Sequence, residues 1–589
     1  MMLTLLFMFQ TTQVYYEHIA KDNRNEFIPD YVISGNNAWK PDVLDVTDAN
    51  LREQYILFFG DKNGAVGNTV RQWCEYTKRN LVVCQDLNSF SGNIGKNQEY
   101  VLVESACLDI PSDLDALEEF AKAGIDIIFC DLPDVKTIRQ NPQLQEMLGI
   151  RKIQQERVDA DGIKLFSGFL LGGEVTYLEN DDESKLRNND LQMPWYQLAA
   201  GAQTYMIGLL ETDEDIRRED LPALIWSFSD GNSEIFAING DYLHDNTGIG
   251  ILSAMDAKLG GYALYPILDA QLLTVANYPG IANENAEMLH KLFSGNMIQV
   301  GRDVVFPQLV ATAEQTDFIM SCMLQTQYDY MDTNNPDAAA LRDYIKLMKK
   351  AGAELGLSLV RKSETTLTQK LDADKVFFEQ SDNQYLFGAV YSAQDGLKDI
   401  ADTISLPNSI NTIVATPNVG QDLISFGNDR LTIQSITSDA SVYSFRSDLY
   451  MRSVQTALGY TNVLIDLNRV FWPEENELSW EKLSKIYADN LYTHWRNFQS
   501  FEDTTVSQSD QKIRQLLTMD YSHEQKDNVI YLQLENTEQS VSFVLRLHNA
   551  KPESVVGGTY TILEDGVYLI RTTAQSVEIH LTSSNPIHN

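Results

Sequence analysis

Cysteine is scarce in this 589-residue chain: Cys74, Cys84, Cys107, Cys130 and Cys322 make an odd number, with no CxxC spacing among them. Neither a full disulfide framework nor a zinc ribbon is indicated. Four of the five fall on apolar segments and read as small hydrophobes. The eight histidines (His18, His244, His290, His494, His523, His548, His580 and His588) never recur at i, i+3 or i, i+4, so no metal clamp can be written on one helix or strand. Positive charge is also short. Against 83 acidic residues stand 45 basic ones, a formal net charge of −38, which argues against nucleic acid and favours attraction of cationic polymers or divalent ions. Long apolar runs are missing too. The run from Met1 to Phe9 is too short to span a bilayer and lacks the basic flank and cleavage site of a secretory signal. It predicts the tail of an N-terminal membrane anchor over residues 1–27, and so an extracytoplasmic, tethered protein; a buried first strand is the alternative.

What is present suits folded, multidomain material: 43% hydrophobic and 10% aromatic residues over a length that exceeds one core. From Gln54 to Asp134 the order strand, loop, helix, strand occurs twice, which implies a parallel sheet covered by helices. After Gly162 the pattern turns β-rich, and Ser229-Asp230-Gly231-Asn232 between two apolar runs signals a hairpin. The acidic stretch from Glu179 to Asp190 reads as a solvated loop. Between Tyr262 and Phe501, seven short apolar strands, beginning with GYALYPILDA, alternate with helical stretches, as in a (β/α) barrel. One helix is well marked, from Pro336 to Lys350, with Asn335 as its cap, Leu341, Ile345 and Met348 on one face, and Gly352 at its end. The tail alternates apolar and polar residues and predicts a small β-sandwich. The fold class is therefore α/β: a Rossmann- or glutamine-amidotransferase-like doubly wound module with a β-rich extension (28–246), a (β/α) barrel (247–505), and a C-terminal β-domain (506–589).

Two loops of the first module could carry chemistry. Gly60-Asp61-Lys62-Asn63-Gly64-Ala65-Val66-Gly67 follows a strand and opens a helix, but it has neither GxGxxG spacing nor a P-loop lysine, so a tight turn is favoured over a phosphate cradle. Cys107 follows a strand where amidotransferase-like folds place a nucleophile; with only His18 upstream read as a partner, the thiol has no base.

A second set of segments carries a family resemblance. NGDYLHDNTGIGIL, YPILDAQ, NYPG and RDVVFPQLVATAEQ, followed by FIMSCML and LGLSLVRKS, resemble the deacetylase-like region of the Pel-polysaccharide protein PelA and its bacterial relatives, in the NodB-type polysaccharide deacetylase superfamily. The resemblance implies a NodB-type barrel. Such enzymes bind a divalent metal through two histidines four residues apart and use paired aspartates on the first barrel strand. The matching positions here are Ser358 and Lys362, and Asn277-Tyr278; Thr416-Pro417-Asn418 stands for the Arg-Pro-Pro-type segment, and Asp466 resembles the later aspartate. An ammonium cannot ligate a cation, and an amide cannot replace a base.

No metal and no cofactor follow from these residues, and no catalytic residue is assigned beyond the candidates Asp466 and His494. Candidate ligand-binding residues are Asp269, Asn277, Tyr278, Arg302, Asp329, Asp332, Ser358, Lys362, Trp472 and Trp495, with Tyr265, Tyr328 and Tyr330 as further aromatic faces for sugar stacking. The expected function is a degenerate deacetylase-like protein that binds or guides an exopolysaccharide, a cationic one if it is of the Pel type, beside a membrane synthase and export machinery. An active deacetylase or hydrolase with unconventional ligands is one alternative, and a scaffold of the synthase complex is the other.

Overall fold

The computed structural model describes residues 33–583 apart from 42, 46–54, 88–97, 111, 179–190, 211–219, 230, 382, 384, 394–405, 417–420, 474–478 and 538. The expected anchor and the acidic loop lie outside the described residues, among which no helix is long and apolar enough to cross a membrane.

Five parallel strands open the fold, in the spatial order Val43–Asp45, Asn80–Cys84, Tyr55–Phe59, Gln98–Val103 and Asp126–Phe129. The period of two along Tyr55–Phe59 divides its side chains between two cores. Ile56 and Phe58 share one with Val66, Val70 and Trp73 of helix Ala65–Thr77, while Leu57 and Phe59 share the other with Leu114, Leu117 and Phe120 of helix Ser112–Lys122. The sheet then continues through Glu234–Ile238, in parallel, into four antiparallel strands that include the Ala223–Ser229 hairpin partner. The β-rich stretch thus extends the first sheet.

The central sheet is curled into a half-barrel. From one edge it runs Ser438–Asp439, Tyr460–Asp466, Ala270–Tyr278, Met320–Leu324, Glu354–Ser358, Ala389–Ser392, Thr412–Ala415 and Thr432–Ser435, all parallel, with Ile424–Phe426 antiparallel at the far edge. Its two edges do not pair among the described residues. Helix Val506–Thr518 plugs the N-terminal end of the strands. Ser507 donates its backbone N–H to Glu354 at 3.0 Å, and Gln434 donates to the Val506 carbonyl at 3.1 Å. Glu354 is fully buried beneath the positive end of that helix, and burial pushes its carboxyl pKa up. A strand that reads as apolar, AELGLSLV, therefore begins on a buried carboxylate that seals the floor.

Three details differ from the sequence reading. The marked helix spans Ala338–Lys350 and is capped by Asp337, whose carboxylate accepts from Ala339 and Ala340, rather than by Asn335. GYALYPILDA does not supply a barrel strand at its start. Tyr262–Ile267 instead pairs antiparallel with Ser542–Leu547 as an edge of the C-terminal sandwich, whose two four-stranded sheets enclose Phe543, Leu545, Ile570, Ile530 and Ile579. A strand buried on both faces looks alike in a parallel barrel and in a sandwich, so periodicity cannot separate them. Third, the first module and the barrel are not insulated from each other, because one buried cluster runs from Ile56 through Ile251 and Met255 of helix Thr247–Leu259 to Leu272 and Val414. Gly250 makes that junction possible: a Cβ there would lie 2.1 Å from the Ser453 carbonyl oxygen.

Asp503 gives the fold a pH dependence. It forms an isolated parallel bridge with Gln271 of the strand Ala270–Tyr278, its Oδ1 is buried without a hydrogen-bond partner, and burial, then Asp317 and Glu502, raise its pKa to about 7. Because the folded value lies above the ordinary 3.8, the folded state holds the proton more tightly, and stability falls as pH rises between the two values. Discounted for partial solvent access, the loss should be on the order of 1–2 kcal/mol. Asp503→Asn should flatten that fall in urea titrations from pH 4 to 8; an unchanged pH slope would remove Asp503 as its source.

Candidate functional site

The floor is sealed, so the side chains to examine stand at the C-terminal ends of the barrel strands. The first strand ends in a bulge, where the pairing to Met320–Leu324 skips from Ala276 to Tyr278 and Asn277 adopts φ +61°. Asparagine tolerates this left-handed conformation better than most residues. The bulge brings the Asn277 amide against the ends of three other strands. Its Nδ2 donates to Asp466 Oδ1 at 2.6 Å, and its Oδ1 accepts from Ser358 Oγ at 2.6 Å and from Gln325 Nε2 at 3.3 Å. The Asn468 N–H also donates to Asp466 Oδ1, at 2.9 Å. Burial raises the Asp466 pKa; the Asn277 and Asn468 donors oppose that, and Asp439 adds to it. The phenol of Tyr391, hydrogen-bonded to Thr416, is pushed up by burial and then by Asp466.

A second group forms a wall beside this set. Lys362 Nζ sits 2.6 Å from Asp329 Oδ2 and 4.7 Å from the ring centre of Trp472, and Tyr328 packs on Trp472 with centroids 5.0 Å apart. Asp329 and Lys362 shift each other in opposite directions, the carboxyl down and the ammonium up, through that hydrogen bond. Buried Glu284 accepts from the N–H groups of Tyr328 and Asp329 at 2.9 and 2.8 Å, which fixes the loop; burial raises its own pKa. Asp332 shapes the same loop by accepting from the Asn334 N–H. Gln325, Glu284 and Tyr391 were not anticipated. Gln325 had a usable signal, since it is the first polar residue after a buried barrel strand.

The structure thus gathers Asn277, Ser358 and Asp466 in one set, and Asp329, Asp332, Lys362 and Trp472 along the wall. It separates the others. Asp269 lies at the opposite end of the first strand and is fully buried; its carboxylate pairs with Arg571 at 2.7 and 3.0 Å and accepts from Ser542 and Glu502. It fastens barrel to sandwich and is no sugar acceptor. Tyr278 turns away from this face into the buried layer behind the sheet, stacked on Phe306 and edge-on to Tyr344, with its hydroxyl donating to the Gly301 carbonyl. Arg302 is spent on Asp303 at the exposed surface. Tyr265 is buried at the sandwich junction, and Tyr330 bonds Asp374. The side chains of His494 and Trp495, and residues Pro417 and Asn418, lie outside the described residues.

The donor set does not fit a divalent metal. Asn277, Ser358 and Lys362 offer an amide, a hydroxyl and an ammonium, and the first two are already bonded to each other. Among the described residues no three His, Cys, Asp or Glu side chains converge to hold an ion.

The first module has a smaller cluster at the C-terminal ends of its strands. Glu104 Oε2 accepts from the Asp61 N–H at 2.8 Å, so a carboxylate already occupies the loop where a phosphate would sit. His244 was missed as a neighbour of this edge: its Nε2 lies 3.8 Å from Asp131 Oδ2, and that carboxylate raises its pKa. Exposed Cys107 has its thiol pushed up by burial and then by Glu104, which does not favour a nucleophile.

These features define an α/β protein with a sealed parallel half-barrel and a polar C-terminal face, flanked by a wound sheet and a β-sandwich. A solved chain similar to this one over most of its length is Agd3, described as a novel carbohydrate deacetylase: TM-score 0.50 at 9% identity, covering 90% of this chain and 99% of that one. A provisionally named glycoside hydrolase/deacetylase from Parabacteroides distasonis (TM-score 0.26, 12% identity, 48% of this chain and 82% of that one) and a ThuA-like protein from Bacteroides uniformis (0.23, 13%, 36% and 92%) match smaller parts. No family model matches the chain, and no curated protein matches it in sequence.

Proposed function

We propose that this chain is a carbohydrate-binding protein on a deacetylase fold, which takes a polysaccharide at the C-terminal face of its half-barrel without metal-dependent deacetylation. The observation that carries this is the hydrogen-bonded chain Ser358–Asn277–Asp466, at positions that the NodB-type resemblance matches to ligands and base. Asn277 and Ser358 are buried and bonded to one another, so they hold the face together and are not free to ligate a cation, and a sugar would be met by the partly exposed rim around them. The wall of Trp472 and Tyr328 supports the same reading, because apolar sugar faces stack on aromatic rings. The setting we propose is exopolysaccharide synthesis or export, with the strongly acidic surface facing the polymer and its machinery.

The test is calorimetry with N-acetylglucosamine hexamer, alongside an acetate-release assay. Binding is expected with and without a chelator, weakened by up to about tenfold in Trp472→Ala, the scale of one aromatic contact of about 0.5–1.5 kcal/mol. Acetate release that requires added zinc, cobalt or nickel and disappears in Asp466→Ala would overturn the proposal.

A further inference from the structure

The wall at the C-terminal face has the composition of a cation cage. Trp472 and Tyr328 supply aromatic faces, Asp329 supplies a carboxylate, and Glu284 locks the loop that carries two of these from behind. Aromatic faces joined to a carboxylate are how proteins recognise ammonium groups. Here an ammonium is already inside: Lys362 Nζ, 2.6 Å from Asp329 Oδ2 and 4.7 Å from the centre of Trp472. The lysine is held on its main chain as well, since its N–H donates to the Tyr328 carbonyl at 3.1 Å. The other Asp329 oxygen is used locally, accepting from the Met331 N–H at 3.0 Å. The pair is only partly exposed, with side-chain accessibilities of 34% for Lys362 and 21% for Asp329.

We infer that Lys362 is a built-in occupant of this cage and sets the ligand class of the face: neutral glycan residues are accepted, and ammonium-bearing amino sugars are refused. The inference rests on the carbohydrate-binding reading above. A glucosaminyl ammonium arriving here meets a like charge and finds both the carboxylate and the ring already engaged. A neutral residue meets no such conflict. Lys362 Nζ makes one hydrogen bond to a described protein atom, to Asp329, so two of its three donors remain for hydroxyl or acetamido oxygens. The attraction of cationic polymer suggested by the net charge then belongs to the surface at large, and the cage discriminates against it.

The experiment compares fully N-acetylated and fully deacetylated chitotriose on the full chain, at a pH where the free amines are charged and at 150 mM salt or above, to suppress attraction by the acidic surface. The unaltered protein should bind the acetylated trisaccharide in preference. Lys362→Met, which keeps the apolar stem over Trp472, should gain tenfold or more in affinity for the deacetylated form, and adding Asp329→Asn should abolish the gain. Lys362→Gln serves as a second variant, and matching thermal transitions show that the fold is retained. No gain in either lysine variant overturns the inference while leaving the carbohydrate reading intact if acetylated sugar still binds. A gain that survives Asp329→Asn also overturns it, because the cage would not be its source. Failure of every variant to bind either trisaccharide defeats the carbohydrate reading itself.

Discussion

Replacing Lys370 by methionine should cost roughly 3–5 kcal/mol of stability, the range for breaking a buried ion pair on one side. Lys370 and Asp374 are one helical turn apart on Leu367–Gln380, both side chains have no solvent exposure, and Nζ lies 2.7 Å from Oδ2. The same ammonium donates to Tyr330 at 2.9 Å, and Tyr330 and Thr326 both donate to Asp374. Removal of the cation leaves a buried carboxylate with only hydroxyl donors, which explains why the penalty exceeds that of a surface pair. The double change Lys370→Met with Asp374→Leu should recover a large part of the loss, since no charge then remains buried. Urea unfolding at pH 7 measures both. The ion-pair account fails if the single and double variants are equally destabilised. The consequence reaches the site, because Thr326 and Tyr330 belong to the loop that carries Tyr328 and Asp329. Lys370→Met should therefore weaken glycan binding as well as the fold, without touching a wall residue.

Much of the layout was legible because it follows from periodicity and chain order. Alternating strand and helix units gave the parallel sheets, and the Ser229–Asn232 signal gave a hairpin that the structure forms between Ala223–Ser229 and Glu234–Ile238. The failures have physical causes. Tyr262–Ile267 was assigned to the barrel because a strand buried on both faces carries no mark of its partner. Asp269 was taken as a sugar ligand because an aspartate beside a strand reads as exposed, and only the fold brings Arg571 to it from 302 residues away. Tyr278 was named with Asn277 through the family resemblance, but the bulge at Asn277 turns the neighbouring phenol away from the face. Lys370 and Glu354 went unnoticed for a similar reason, since buried charge is visible only once its partner is. The set Asn277, Ser358 and Asp466 fared differently. It was assembled through a family resemblance, and the structure places the three within one hydrogen-bonded group. The cage was half visible, in that Asp329, Lys362 and Trp472 were named separately, yet nothing in the sequence says that the lysine fills the space between the other two.

The C-terminal sandwich should not be removable, although the sequence suggests a separate domain from residue 506. Its edge strand Tyr262–Ile267 enters from before the barrel, in register from Tyr262 opposite Leu547 to Ile267 opposite Ser542. Leu264 packs into the sandwich core, while Ala263, Tyr265 and Ile267 share a cluster with Val544, Leu569, Met451 and Phe501 that joins sandwich to barrel. A chain ending at Thr518 would remove this strand's pairing partner and bare the face that carries Leu264, while the other face would keep only its barrel-side neighbours Met451 and Phe501, a template for aggregation. It would also strip the Asp269 carboxylate, fully buried in the intact chain, of Arg571 and Ser542, leaving the Glu502 backbone N–H as its remaining partner. The shortened chain is expected to be insoluble or unfolded at 25 °C. Residues 519–589 supplied as a separate polypeptide during synthesis should restore a soluble complex, because every contact across the cut except one peptide bond is non-covalent. Asp269→Ala in the full chain isolates the charge term and should cost roughly 3–5 kcal/mol. A soluble, monomeric chain of residues 1–518 with the thermal transition of the intact protein would show that the sandwich is an appendage, and that the buried pairing of Tyr262–Ile267 contributes little to the fold.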